Sequence, residues 1–221
     1  MRHPRRQISP LQRRSAQRDP KRRFTIFCEG KCTEPAYFDA LRRHFADALI
    51  AIRIEPAAGV PYTLAEKAAA HAREAASDAR RRGRRDSYEK QDETWAVFDR
   101  DEHPRHAEAV LLCERHRVGI ARSNPCFEVW LILHEQEYDK PDGRHAVQRL
   151  LRDLRPEYDP NRAKSPDCAS LIGRLAEAER RGEAQLERRK RDGAPFAAPS
   201  TTVWQLTRAI AQAAAGASPP R

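Results

Sequence analysis

Between residues 24 and 122 four short apolar runs alternate with segments of helical periodicity, and this alternation limits the possible folds more than any other property of the chain. The first run, Phe24-Thr25-Ile26-Phe27-Cys28, stops at Glu29-Gly30 and has the length and composition of a buried strand. Pro35 then opens a helix to about Asp47, because Phe38, Leu41, Phe45 and Leu49 recur at helical spacing. A second run, Leu49 to Ile54, leads through a Pro/Gly loop to a helix from Thr63 to about Arg82, with Thr63 and Glu66 as a capping box. The third run, Thr94 to Phe98, ends in Asp99-Arg100-Asp101-Glu102; Pro104 begins the next helix, and Val118 to Ala121 forms a fourth strand. A βαβαβαβ order predicts an α/β fold with a mainly parallel sheet and helices on both faces.

Downstream, Asn124-Pro125 reads as the cap and first turn of a helix over 126–133 that is apolar nearly all round and therefore buried. Helical but more polar patterns follow over 144–154, 167–181 and 201–214. The expected organisation is a disordered basic arm over 1–23, an α/β catalytic core over 24–138, and a C-terminal helical region over 139–221 with a mobile linker at 182–199. With 33% charged and 39% hydrophobic residues, part of the 221-residue chain must be solvated surface or tail.

Lys plus Arg is 42 against 32 for Asp plus Glu, a net charge of +10, which favours a polyanionic partner such as nucleic acid. An arginine-rich, alanine-rich composition also follows from a GC-rich genome, and the arm alone would serve as a solubilising tail. The five cysteines lack a CxxC pair and a zinc-site spacing, so they read as reduced thiols of a cytoplasmic protein. No apolar core of a signal peptide follows the N-terminal arginines, and no run approaches the roughly 20 apolar residues of a membrane span.

In an open parallel sheet the ligand crevice lies outside the carboxyl ends of the strands. Glu29 stands at that end of the first strand and Asp99-Arg100-Asp101 at that end of the third, so sequence-distant carboxylates are expected to converge. Alternation along an extended segment puts Asp99 and Asp101 on one side. Converging carboxylates repel and raise one another's pKa, a conflict that a divalent cation resolves; oxygen-only ligation suits Mg²⁺ or Mn²⁺. The chemistry implied is metal-assisted attack on a phosphodiester. The Gly30 turn would let backbone approach a phosphate, with Lys31 beside it, and Arg22 and Arg23 extend the candidate phosphate-binding set. Glu128, the one charge in an apolar helix, calls for a metal or a hydrogen-bonding partner such as Arg122. Glu102 suits the N-terminus of the following helix, and His103 and His134, at expected helix ends, fit structural roles as readily as acid–base ones.

These residues also carry a resemblance. Phe27-Cys28-Glu29-Gly30-Lys31-Cys32-Thr33-Glu34-Pro35-Ala36-Tyr37-Phe38 resembles the amino-terminal signature of the RloB-like family. Phe98-Asp99-Arg100-Asp101-Glu102-His103 is similar to its central block, and the stretch from Ser123 to His134 and Pro199 to Val203 are similar to two later ones. The resemblance implies a Toprim-like core related in layout to overcoming-lysogenization-defect nucleases, a role in bacterial phage defence within restriction-modification loci, and an AAA-type ATPase partner, RloA. It further implies that Glu29 is the acid or base and that Asp99 and Asp101 hold Mg²⁺, with Glu34 part of the family signature. The leading expectation is a metal-dependent nuclease acting on DNA or RNA. A catalytically silent Toprim-like subunit acting through protein contacts is the alternative, and self-association stays open. A haloacid-dehalogenase-like phosphatase fits poorly, because its nucleophile belongs on the first strand.

Overall fold

The computed structural model describes residues 22–48, 50–56, 59–81, 92–100, 105–163 and 165–216. The basic arm up to Lys21, and Asp101, Glu102 and His103, lie outside the described residues. The elements are β1 (Arg22–Cys28), α1 (Thr33–His44), β2 (Ile50–Pro56), α2 (Pro61–Arg81), β3 (Glu93–Asp99), α3 (His106–Arg115) and β4 (Gly119–Asn124). They are followed by α4 (Glu128–Glu135), α5 (Arg144–Leu154), α6 (Cys168–Ile172), α7 (Leu175–Arg191), β5 (Ser200–Thr201) and α8 (Val203–Gly216).

The strands form one sheet in the order β2-β1-β3-β4-β5, parallel except for β5, which runs antiparallel to β4. Burial on both faces explains why β1 and β3 read as continuous apolar runs rather than alternating ones. Successive side chains nevertheless go to opposite faces. Phe24, Ile26 and Cys28 of β1 and Val97 of β3 join the larger core with α1, α4, α6, α7 and α8. Phe27, Ala96 and Phe98 join a smaller core with Leu64, Ala65 and Ala68 of α2 and Ala109 and Cys113 of α3.

The α/β expectation holds, with shifted boundaries. Helix α2 starts at Pro61, a residue suited to a first helical turn, so Thr63 and Glu66 lie inside the helix rather than forming its cap. Strand β4 extends to Asn124, which therefore ends a strand rather than capping α4. Residues 182–191, expected as linker, continue α7, because Gln185 and Leu186 are buried on it and Gly182 lies against Trp130 and Trp204. The remainder of that segment is held too. Phe196 stacks under the Arg122 guanidinium, and its carbonyl accepts hydrogen bonds from Arg100 Nη1 (2.6 Å) and Asn124 Nδ2 (2.6 Å). Ser200 and Thr201, expected to open the last helix, instead pair with β4. The larger core contains Tyr138, Val147, Leu171, Ala178, Leu206 and Ile210 together with β1 and α1, so the C-terminal helices share the core of the α/β unit.

Candidate active site

In this strand order β2 lies on one side of β1 and β3 on the other, so the chain reverses direction across the sheet between β1 and β3. A crevice opens at such a switch point, beyond the carboxyl ends of the two strands. Cys28 is in register with Val97, which brings the next residue, Glu29, level with the end of β3. Glu29 N donates to Val97 O (3.0 Å), continuing the ladder, and Asp99 N donates to Glu29 Oε2 (3.1 Å). The two acids paired by sequence reasoning are thus in direct contact.

The crevice is a cavity of about 310 Å³ lined by Glu29, Gly30, Thr33, Glu34, Gly59, Asp99, Phe127, Glu128 and Arg144. Four carboxylates from four elements or their immediate flanks face one guanidinium. Glu34 projects from the first turn of α1, is 7% exposed, and accepts a hydrogen bond from Gly30 N (3.2 Å). This contact gives Gly30 a role different from the expected phosphate approach. A Cβ there would fall 2.0 Å from Glu34 Oε2, so the glycine makes room for the carboxylate. Glu128, in the first turn of α4, accepts from Tyr158 Oη (2.5 Å) and lies 3.5 Å from Gln148 Nε2. Arg122, the partner sequence reasoning offered it, is engaged with Phe196 instead. Asp99 Oδ2 accepts from Arg144 Nη2 (3.1 Å).

Burial pushes the Asp99 carboxyl well above the usual carboxylate range, and the Glu34 charge pushes it further, with Arg144 opposing. Burial also raises the Glu34 pKa, helped by Glu128 and opposed by hydrogen bonds from backbone N–H groups. Like charges in a desolvated space produce this pattern, and a cation would relieve it. The donors are oxygens only, which suits Mg²⁺ or Mn²⁺. No three His, Cys, Asp or Glu side chains among the described residues are already arranged to hold a metal ion. Asp101, the remaining ligand of the sequence-derived set, is outside them.

Other candidate residues fall elsewhere. Arg22 and Arg23 begin β1, so they stand at the opposite end of a seven-residue strand, about 20 Å from the crevice. There Arg22 pairs with Glu93 and Arg23 N donates to Asp92 Oδ1 (2.8 Å). Lys31 is exposed in the loop after β1 and does not line the cavity. His134 is fully buried, far along α4, with Nδ1 against Trp130 O (3.0 Å) and Nε2 against Tyr37 Oη (3.1 Å). Nδ1 faces a carbonyl and must donate, which leaves Nε2 to accept from the tyrosine. Burial pushes the His134 pKa down to about 4, so the ring is neutral and structural.

Sequence reasoning missed Arg144, Gln148 and Tyr158. A signal for the first two was present. Val147 and Leu151 define the buried side of α5, and Arg144 and Gln148 fall on that side at helical spacing. A charged or amide residue there asks for a buried partner, and here the partners are Asp99 and Glu128.

No helix among the described residues is long and apolar enough to cross a membrane. Neither a curated protein nor a solved structure matches the chain. The sequence model of the RloB-like protein family matches residues 24–210, most of the chain and every element from β1 to α8.

Proposed function

The chain belongs to the RloB-like family, and on that premise we propose that it is a metal-dependent nuclease that cleaves DNA or RNA phosphodiesters, working with an AAA-type ATPase in defence against phage. The observation that carries this reading is the convergence of Glu29, Glu34, Asp99 and Glu128 on one cavity at the switch point of the sheet. A structural cluster of four buried or half-buried acids would ordinarily be neutralised by as many cations, and one arginine is present.

Asp99 and Glu29, with Asp101, would hold the ion; bound there, it would supply positive charge against a phosphoryl oxygen. Glu29 sits beside Asp99, its Oε2 fixed by the Asp99 N–H, so its orientation is set for taking or giving a proton at the neighbouring substrate oxygen. Glu34 fixes the Gly30 loop through its N–H and adds to the negative field. Glu128 is oriented by Tyr158. Phe127 closes one wall of the cavity with an apolar surface. The basic arm, with Arg2, Arg5, Arg6, Arg13, Arg14, Arg18 and Lys21, supplies the charge for holding a nucleic-acid backbone.

The test is incubation of the full chain, alone and with its partner ATPase, with DNA and RNA in Mg²⁺ or Mn²⁺. Cleavage by the wild type that disappears in Asp99→Ala and in chelator is expected. Absence of cleavage with every nucleic acid tried, or retained cleavage in Asp99→Ala, overturns the reading. The catalytically silent subunit has one observation in its favour, the Asp99–Arg144 contact, since a carboxylate already paired needs no ion. It predicts that Asp99→Ala keeps full phage protection.

A further inference from the structure

Arg144 is the one cationic side chain among the described residues lining the crevice, and it comes from α5, outside the βαβ frame that supplies three of the four acids. Its contact with Asp99 is a single hydrogen bond, Nη2 to Oδ2 at 3.1 Å. The guanidinium is 39% exposed while the Asp99 side chain is 12% exposed, so the arginine reaches in from the rim rather than being locked beneath the carboxylates. A bidentate, buried pair would be a fixed structural element; a one-point contact from a partly solvated side chain is exchangeable. The same Asp99 oxygen is one that a divalent cation would need, and two cations cannot share it closely without repelling each other.

We propose that Arg144 is the resident counter-ion of Asp99, that it competes with the divalent cation for that carboxylate, and that the guanidinium released on cation loading receives a substrate phosphate. This rests on the metal-dependent reading given above. Arg144 is thus a positioning residue for Asp99 in the cation-free protein and a phosphate contact in the loaded one. The planar fork of an arginine is suited to phosphate oxygens, and its rim position faces the direction from which a nucleic-acid backbone would enter.

The proposal separates from a merely structural role because its two consequences have opposite signs. Mn²⁺ binding to the full chain without nucleic acid, followed by calorimetry, is expected to be roughly two- to fivefold tighter in Arg144→Gln, the size of a partly exposed ion pair removed. Arg144→Lys, which keeps the charge, is expected to stay nearer the wild type. Binding of a fluorescently labelled single-stranded oligodeoxynucleotide in Ca²⁺ is expected to be weaker in Arg144→Gln, by at least about twofold. Unchanged or weaker Mn²⁺ binding in Arg144→Gln overturns the proposal, as does oligonucleotide binding equal to wild type. If neither wild type nor Arg144→Gln binds Mn²⁺ while both melt normally, the metal-dependent reading fails as well. If the wild type binds and the variant is no tighter, only the present proposal fails. Should the variant not fold, the wild-type protein still decides: the Arg144 Nε–H resonance must shift during Mg²⁺ titration, and one that stays in place refutes the exchange.

Discussion

Helices α1 and α4 each contribute to two buried polar clusters, and the two clusters are built on opposite plans. At their first turns Glu34 and Glu128 enter the crevice. Farther along, Tyr37 of α1 and His134 of α4 meet in the core, where the tyrosine hydroxyl serves Nε2 and the Trp130 carbonyl accepts from Nδ1. The second cluster is complete within the chain, neutral, and enclosed by the Tyr37, Phe127 and Trp130 rings. The first leaves four carboxylates to one arginine. A buried polar group must find its partner somewhere. Where the fold supplies it, the group stabilises the fold; where the fold falls short, the site is completed by something from outside.

That contrast can be broken by substitution on either side. The largest expected effect is on the crevice: Asp99→Asn should lower metal-dependent cleavage by at least about 100-fold, since even partners outside a metal's ligand sphere cost roughly 10- to 100-fold. Its melting temperature should stay level or rise, because a desolvated like charge has been removed. In the core cluster the pattern reverses. His134→Ala leaves a cavity and an orphaned Tyr37 hydroxyl, costing roughly 3–5 kcal/mol or about 10 °C in thermal melting. Cation affinity per folded molecule should not change.

A pH titration sharpens the same distinction. The His134 pKa lies at about 4 in the folded chain against an ordinary 6.5, so protonation favours the unfolded state. Its contribution is fully present above pH 6.5 and is lost as the pH falls from there through about 4. The loss reaches up to about 3 kcal/mol, measurable as the difference in urea midpoints between wild type and His134→Gln at neutral and acid pH. The smallest effect concerns Glu128. Tyr158→Phe removes its hydroxyl donor and should cost about 1 kcal/mol, a shift of about 3 °C. A Tyr158→Phe protein that melts far lower would mean that Glu128 belongs with the fold rather than with the crevice.

The elements that place the crevice were readable because parallel strands buried on both faces announce themselves as apolar runs, and each run ended at an acid. Glu29 and Asp99 followed from that alone. The roles of Glu34 and Gly30 did not, because they depend on a side chain folding back over four residues into the space a Cβ would take. Arg144 and Tyr158 were hidden for another reason: they approach from helices whose docking onto α4 no local pattern specifies. The stretch over 182–191 looked like linker because its arginines outnumber its apolar residues, yet Gly182, Gln185 and Leu186 are enough to seat it against α4 and α8. His134 shows the opposite case, a residue type associated with catalysis that periodicity correctly allowed to be core.

The most direct test of the central claim is to soak crystals of the full chain in Mn²⁺ and collect anomalous diffraction data. The account predicts a peak in the crevice against the Asp99 carboxylate, absent from Asp99→Asn crystals. A map without a peak there, or with one that persists when Asp99 is replaced, would contradict it.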